Sequence, residues 1–217
     1  MDITVEGHVG VIYSPDGDDA ETRLSRDGSL VVCKGHADLF EVASRGQLYI
    51  ATGGVAGVTT GTAFGGTAPA ALANPNGNLM ALVVSHATIG YVSGTLGLGC
   101  YCWGQAAYPA GAPTANFVTT VQTGKLTGSQ NKNNSTGLFY TNTSLTATPT
   151  ILRPSLSFGA FAGAAAMPSF ARDDVRGAFV VMPGAVLALQ ALSSSVAGSP
   201  LFIHSIAWYE VPLAMVQ

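Results

Sequence analysis

The sequence predicts an all-β protein: a jelly-roll β-sandwich (residues 46–217) entered by an extended N-terminal arm (1–45) with short hairpins. Three observations carry this expectation. Glycine (27 residues) and proline (11) are frequent, alongside abundant Thr, Ser, Ala and Val. Apolar runs recur at spacings of roughly 10–20 residues with turn signals between them, as in sandwiches and jelly rolls. Few segments could form long helices.

The first 45 residues hold nine of the twelve acids and the turn signals "SPDGDD" and "SRDGS". Short strand-like runs occur at "HVGVIY", "SLVVC" and "DLFEVA". The segment is too polar and too short for a core of its own, so it reads as an arm. Strands then follow in series. "GQLYIAT" (46–52) precedes a Gly/Thr-rich loop (53–69), and "AALANPNGN" (70–78) runs a strand end into an Asn-Pro, Asn-Gly turn. "LMALVVSHATIGYV" (79–92) and "GTLGLGCYCWG" (94–104) are long strands. "NFVTTVQT" (116–123) and "STGLFYTNTSL" (135–145) flank the polar loop "GSQNKNN". "TILRPSLSFGAF" (150–161) is followed by two strands around Met182-Pro183-Gly184-Ala185. The second, "AVLALQALS", has helix-favouring residues but no clean 3.6-residue stripe, and Pro-Gly before it suits a turn.

The last strand, within "SPLFIHSIAWYEVPL" (199–213), poses a packing question. One face carries Phe202, His204, Ile206, Trp208 and Glu210; the other carries Ile203, Ser205, Ala207, Tyr209 and Val211. Both are mostly apolar, so the subunit's own core accounts for only one. Phe202, Ile203, Ile206, Trp208, Tyr209 and Val211 are therefore the subunit-interface candidates, with Trp208 expected inside and the smaller Tyr209 ring outside.

Charged residues make up 10% of the chain, against roughly 25% in ordinary soluble domains. No acid lies between Glu41 and Asp173, where the bases are Arg45, Lys125, Lys132, Arg153 and Arg172. Such a surface suits a subunit covered by neighbours better than a free monomer. A net charge of −3, with no basic stripe, argues against nucleic-acid binding. No apolar run reaches the roughly 18 residues of a membrane span, and the N-terminus lacks a secretory apolar region.

Chemistry finds little support in the residue pattern. Asp173 and Asp174 sit in "ARDDVRG" (171–177), which reads as a solvated turn. Asp174 with Glu210 is the one carboxylate pair that could serve glycosidase chemistry. His86 and His204 have no third metal ligand at matching spacing. Asp16, Asp18 and Asp19 start like a calcium loop, but the central glycine and terminal glutamate are missing. Cys33, Cys100 and Cys102 form no disulfide framework; Cys100 and Cys102 share a strand face and read as small buried residues. No cofactor and no enzymatic activity are expected.

The segments "RLSRDGSLVV", "FEVASRGQLYIAT", "ALANPNGNLMALV", "ILRPSLSFG", "GAFVVMPGAVLAL" and the ending "IAWYEVP" carry a resemblance. In their order, the chain resembles jelly-roll structural proteins of tailed bacteriophage virions, of the capsid cement or decoration type. The resemblance implies a non-enzymatic virion component on the phage head surface, made in the host bacterial cytoplasm. It implies a homotrimer contacting the major capsid protein, with the acidic arm as clamp. A tail or head-fibre component, or a host-carbohydrate-binding adhesion module on a jelly roll, is the alternative. The adhesin would display Tyr101, Trp103, Tyr108 and Trp208 on one face. A cupin-like metal enzyme is a third class.

Overall fold

A computed structural model describes residues 39–59, 64–95, 97–108, 121–123, 135–158, 170–193 and 200–215. The expected arm lies outside them up to residue 38. Residues Val42–Gln217 form one compact unit.

The described residues are all-β, with two antiparallel sheets and almost no helix among them. The strands are β1 (Leu48–Thr52), β2 (Val58–Thr59), β3 (Thr67–Asn74), β4 (Met80–Ser93), β5 (Gly99–Ala107) and β6 (Val121–Thr123). They continue with β7 (Leu138–Ser144), β8 (Thr150–Phe158), β9 (Phe170–Asp174), β10 (Val180–Val181), β11 (Ala185–Ser193) and β12 (Leu201–Pro212). The first sheet has the order β10-β4-β12-β1-β6, with β2 also pairing β12 and β9 pairing β4. The second has the order β7-β3-β11-β5-β8.

Side-chain alternation decides the layers. In β11, Leu187, Leu189 and Ala191 join the central core, while Val186 and Ala188 belong to a second cluster on the opposite face. β11 is buried on both faces, and its ladders with β3 and β5 override its helix propensity. The Pro-Gly turn before it needs its glycine. Gly184 has φ +84, and a Cβ there would lie 2.5 Å from Asn76 Oδ1.

The outer face of the second sheet is built from small residues, including Ala71, Ala73, Ala106 and Ala188. Phe64–Gly66 lies over part of it. Gln190 donates to the Gly65 carbonyl at 2.6 Å and accepts from the Gly65 N–H at 3.0 Å. A Cβ on Gly104 would come 2.5 Å from Phe64 Cζ.

Two local expectations are corrected. "DLFEVA" contains a short helix, α1 (Phe40–Ser44), not a strand. The Gly46 N–H donates to Ala43 O and the Gln47 N–H to Val42 O, both at 3.0 Å. With Gly46 at φ +73, this is the paired-bond glycine stop that ends helices, and it fixes the helical turn despite the apolar alternation. "ARDDVRG" is mostly strand: β9 pairs with β4 from Phe170 to Asp174, and the turn follows at Arg176 and Gly177. Its charges alternate with period two, so Arg172 and Asp174 face outward while Asp173 faces the other sheet.

Candidate assembly surface

β12 is a central strand, between β4 and β1. Its inward set, Phe202, His204, Ile206, Trp208 and Glu210, is wholly buried. Trp208 stacks on Tyr49 with ring centroids 6.1 Å apart. Three of the interface candidates, Phe202, Ile206 and Trp208, therefore fill the subunit's own core and are corrected: a neighbour has no access to them. The strand is regular enough that every second residue points inward, and the sandwich supplies the cover for that set.

Ile203, Tyr209 and Val211 lie on the other face and are half-buried. Cross-strand register surrounds them with uncharged neighbours. Tyr209 stands between Leu48 and Val83, Ala207 between Ile50 and His86, and Val211 beside Ala81. Thr52 and Ser205 hydroxyls meet at 3.1 Å. The charged side chains on this face, among the described strands, are Arg172 and Asp174 on β9, paired with each other at 2.6 Å. Of the apolar residues here, Leu48, Ala81, Val83 and Ala207 are themselves buried, so Ile50, Ile203, Tyr209 and Val211 are the half-buried apolar side chains of this face, with the strand charges confined to one margin.

The polar groups that sequence reading singled out for chemistry instead tie the two sheets together. At one side Asp173 of β9 accepts from Trp103 Nε1 at 2.7 Å, from the Arg153 guanidinium at 3.0 Å and from Ser155 Oγ. Arg153 also lies over the Phe179 ring. In the middle, Tyr101 Oη meets His204 Nε2 at 2.9 Å. Burial lowers the His204 pKa to about 3 and raises that of Tyr101, so both are neutral at ordinary pH. Toward the other side, Glu210 Oε1 accepts from Ser135 Oγ at 2.7 Å and from the N–H groups of Thr136 (2.8 Å) and Gly137 (3.2 Å). Residues 135–137 lead directly into β7 of the second sheet, so this carboxylate too bridges the layers.

Other pairings are separated by the pleat. Asp174 is opposite His86 on the outer face, whereas Glu210 points into the core, so the carboxylate pair needed for glycoside hydrolysis is split across a sheet. His86 and His204 are split in the same way. His86 lies beside Ser85 Oγ at 3.1 Å, and its pKa is lowered by burial and then by Arg172, opposed by Asp174. No group of three metal-binding side chains occurs among the described residues. A cleft of about 260 Å³ lies at one end of the sandwich, lined by Leu152, Phe179, Val181 and Leu187, with Gln105 as its polar side chain.

The exposed aromatic face expected of an adhesin is not formed by these residues. Tyr101, Trp103 and Trp208 are buried; Tyr108 is half-buried. One structural residue escaped sequence reading: Asn74, fully buried, donates to Val181 O at 2.8 Å and Met80 O at 3.0 Å. It joins β3, β4 and β10 at a corner. Its place beside Pro75 signals a turn, but nothing in the sequence signals its burial. Cys100 and Cys102 do share a face of β5, as expected.

No helix among the described residues is long and apolar enough to cross a membrane. Comparison with known proteins gives no match to a protein-family model, a curated protein or a solved structure.

Proposed function

We propose that the chain is a non-enzymatic structural subunit of a phage particle: a capsid cement or decoration protein with a jelly-roll body. It stabilises the head shell as a homotrimer in contact with the major capsid protein. The observation that carries this reading is the outer face of the first sheet. Ile203, Tyr209 and Val211 stand there among uncharged neighbours, while the interior carboxylates and His204 serve as ties between layers. Half-buried apolar side chains on a face poor in charge are what a covered surface offers a neighbour, and obligate interfaces are richer in apolar atoms than transient ones. The acid-free stretch from 42 to 172 adds to this, since a covered surface needs little charge for solubility. The acidic arm, residues 1–45, is the clamp in this reading.

Purified particles test the proposal. Quantitative mass spectrometry should find the chain at hundreds of copies per particle. Tens of copies or fewer would replace the shell reading with a tail or head-fibre component, and absence from particles would sink both.

A further inference from the structure

Cys100 and Cys102 are free thiols on the outward face of β5, with sulfurs 3.6 Å apart. Tyr101 between them points into the core and meets His204. Cys102 is buried and Cys100 half-buried, so the pair is reached from the Cys100 side. The β5–β8 ladder is irregular here: Cys100 pairs with Ser157, but Cys102 pairs with Pro154.

We propose that Cys100 and Cys102 form a bidentate dithiolate site for a soft divalent cation of the zinc group, with the remaining coordination positions open on the Cys100 side. The bite carries the argument. A metal–sulfur distance of about 2.3 Å at a tetrahedral angle places two sulfurs ~3.8 Å apart. The pair is already within a few tenths of an ångström of that. A disulfide needs about 2.05 Å. Reaching it would draw positions 100 and 102 together around Tyr101, whose side chain is held on the other face. The geometry thus suits a third atom between the sulfurs better than a bond between them.

The chemistry agrees with the geometry. Thiolates select soft cations over magnesium or calcium. Each thiol gives its proton to solvent as the metal binds, and two thiolates cancel the divalent charge. Binding therefore competes with protons and weakens as pH falls. This site is independent of the assembly reading and sits on the other sheet.

Titration of the reduced full-length protein with Cd(II) alone tests it, read by the ultraviolet thiolate-to-cadmium charge-transfer band. The expected result is saturation at one cadmium per chain, with tighter binding at higher pH. Cys100→Ser, at the more open position, should abolish the band while circular dichroism stays unchanged; Cys102→Ser should do the same. Cys33→Ser should leave the band intact. No band at excess cadmium, a band surviving in Cys100→Ser, or a band lost in Cys33→Ser would each overturn the proposal.

Discussion

Tyr101 and His204 touch across the middle of the sandwich, Oη to Nε2 at 2.9 Å, and both side chains are essentially closed to solvent. The imidazole has no partner at Nδ1 among the described residues. A proton added there would place an unpaired charge in the core.

Stability should therefore depend on pH through His204. An unfolded-chain histidine takes up a proton near pH 6.5; the folded one resists until about 3. Below about 6.5 the unfolded state binds more protons, so stability is full above that pH and falls below it. The slope approaches ~1.4 kcal/mol per pH unit. Urea unfolding midpoints of wild type and His204→Phe, compared between pH 7.5 and 5, should diverge in slope, the variant being flatter. Parallel profiles would refute the assignment.

The two adjacent rings of β12 should fail differently. Trp208→Ala empties a core site and should cost roughly 3–5 kcal/mol. Tyr209→Asp places a charge on the apolar outer face and should loosen association while strand content persists. Circular dichroism reports the first effect and light scattering the second. A monomeric wild type that does not associate with itself or with shells would remove the basis for the second expectation.

Glu210→Ala should cost about 2–3 kcal/mol, because it strips the acceptor from two backbone N–H groups and a hydroxyl. Ser135→Ala removes the hydroxyl's bonds to Glu210 and Gly137 but leaves the carboxylate on both backbone donors, and should cost less. Denaturant midpoints of the two variants should separate clearly; equal losses would mean that the backbone donors contribute little.

Gly104→Ala should lose roughly 1–3 kcal/mol by overpacking against Phe64. In a Phe64→Ala background the same change should cost less, with the 3.0 Å approach to Pro149 Cβ remaining. A double-mutant cycle with no coupling would show that Phe64 does not cover Gly104 in solution.

The strand series was legible because glycine, proline and asparagine punctuate its apolar runs. "AVLALQALS" was readable as a strand through its Pro-Gly entry and its lack of a clean 3.6-residue stripe, although its residues favour helix. What failed had a common cause. The short helix at Phe40 depends on a glycine conformation two residues beyond it. Asp173 looks solvated in sequence because its neighbours Arg172 and Asp174 are, and only the tertiary partners Trp103, Arg153 and Ser155 explain its inward turn. The six interface candidates were taken from both faces of one strand. Alternation alone does not say which face the second sheet covers, and that sheet claimed Phe202, Ile206 and Trp208.

The central seat of β12 also sets when this protein can fold. β1 and β4 do not pair with each other; each pairs with β12, Tyr49 opposite Trp208 and Leu82 opposite Glu210. Until that strand has left the ribosome, Tyr49, Leu82 and Val84 have no common partner, and the first sheet remains two loose pieces. Folding is then late, dominated by distant pairings and slow by topology. A nascent or clipped chain ending before Leu201 should be held by chaperones or aggregate instead of keeping half a sandwich. On the proposed virion role, only finished chains would reach an assembling particle.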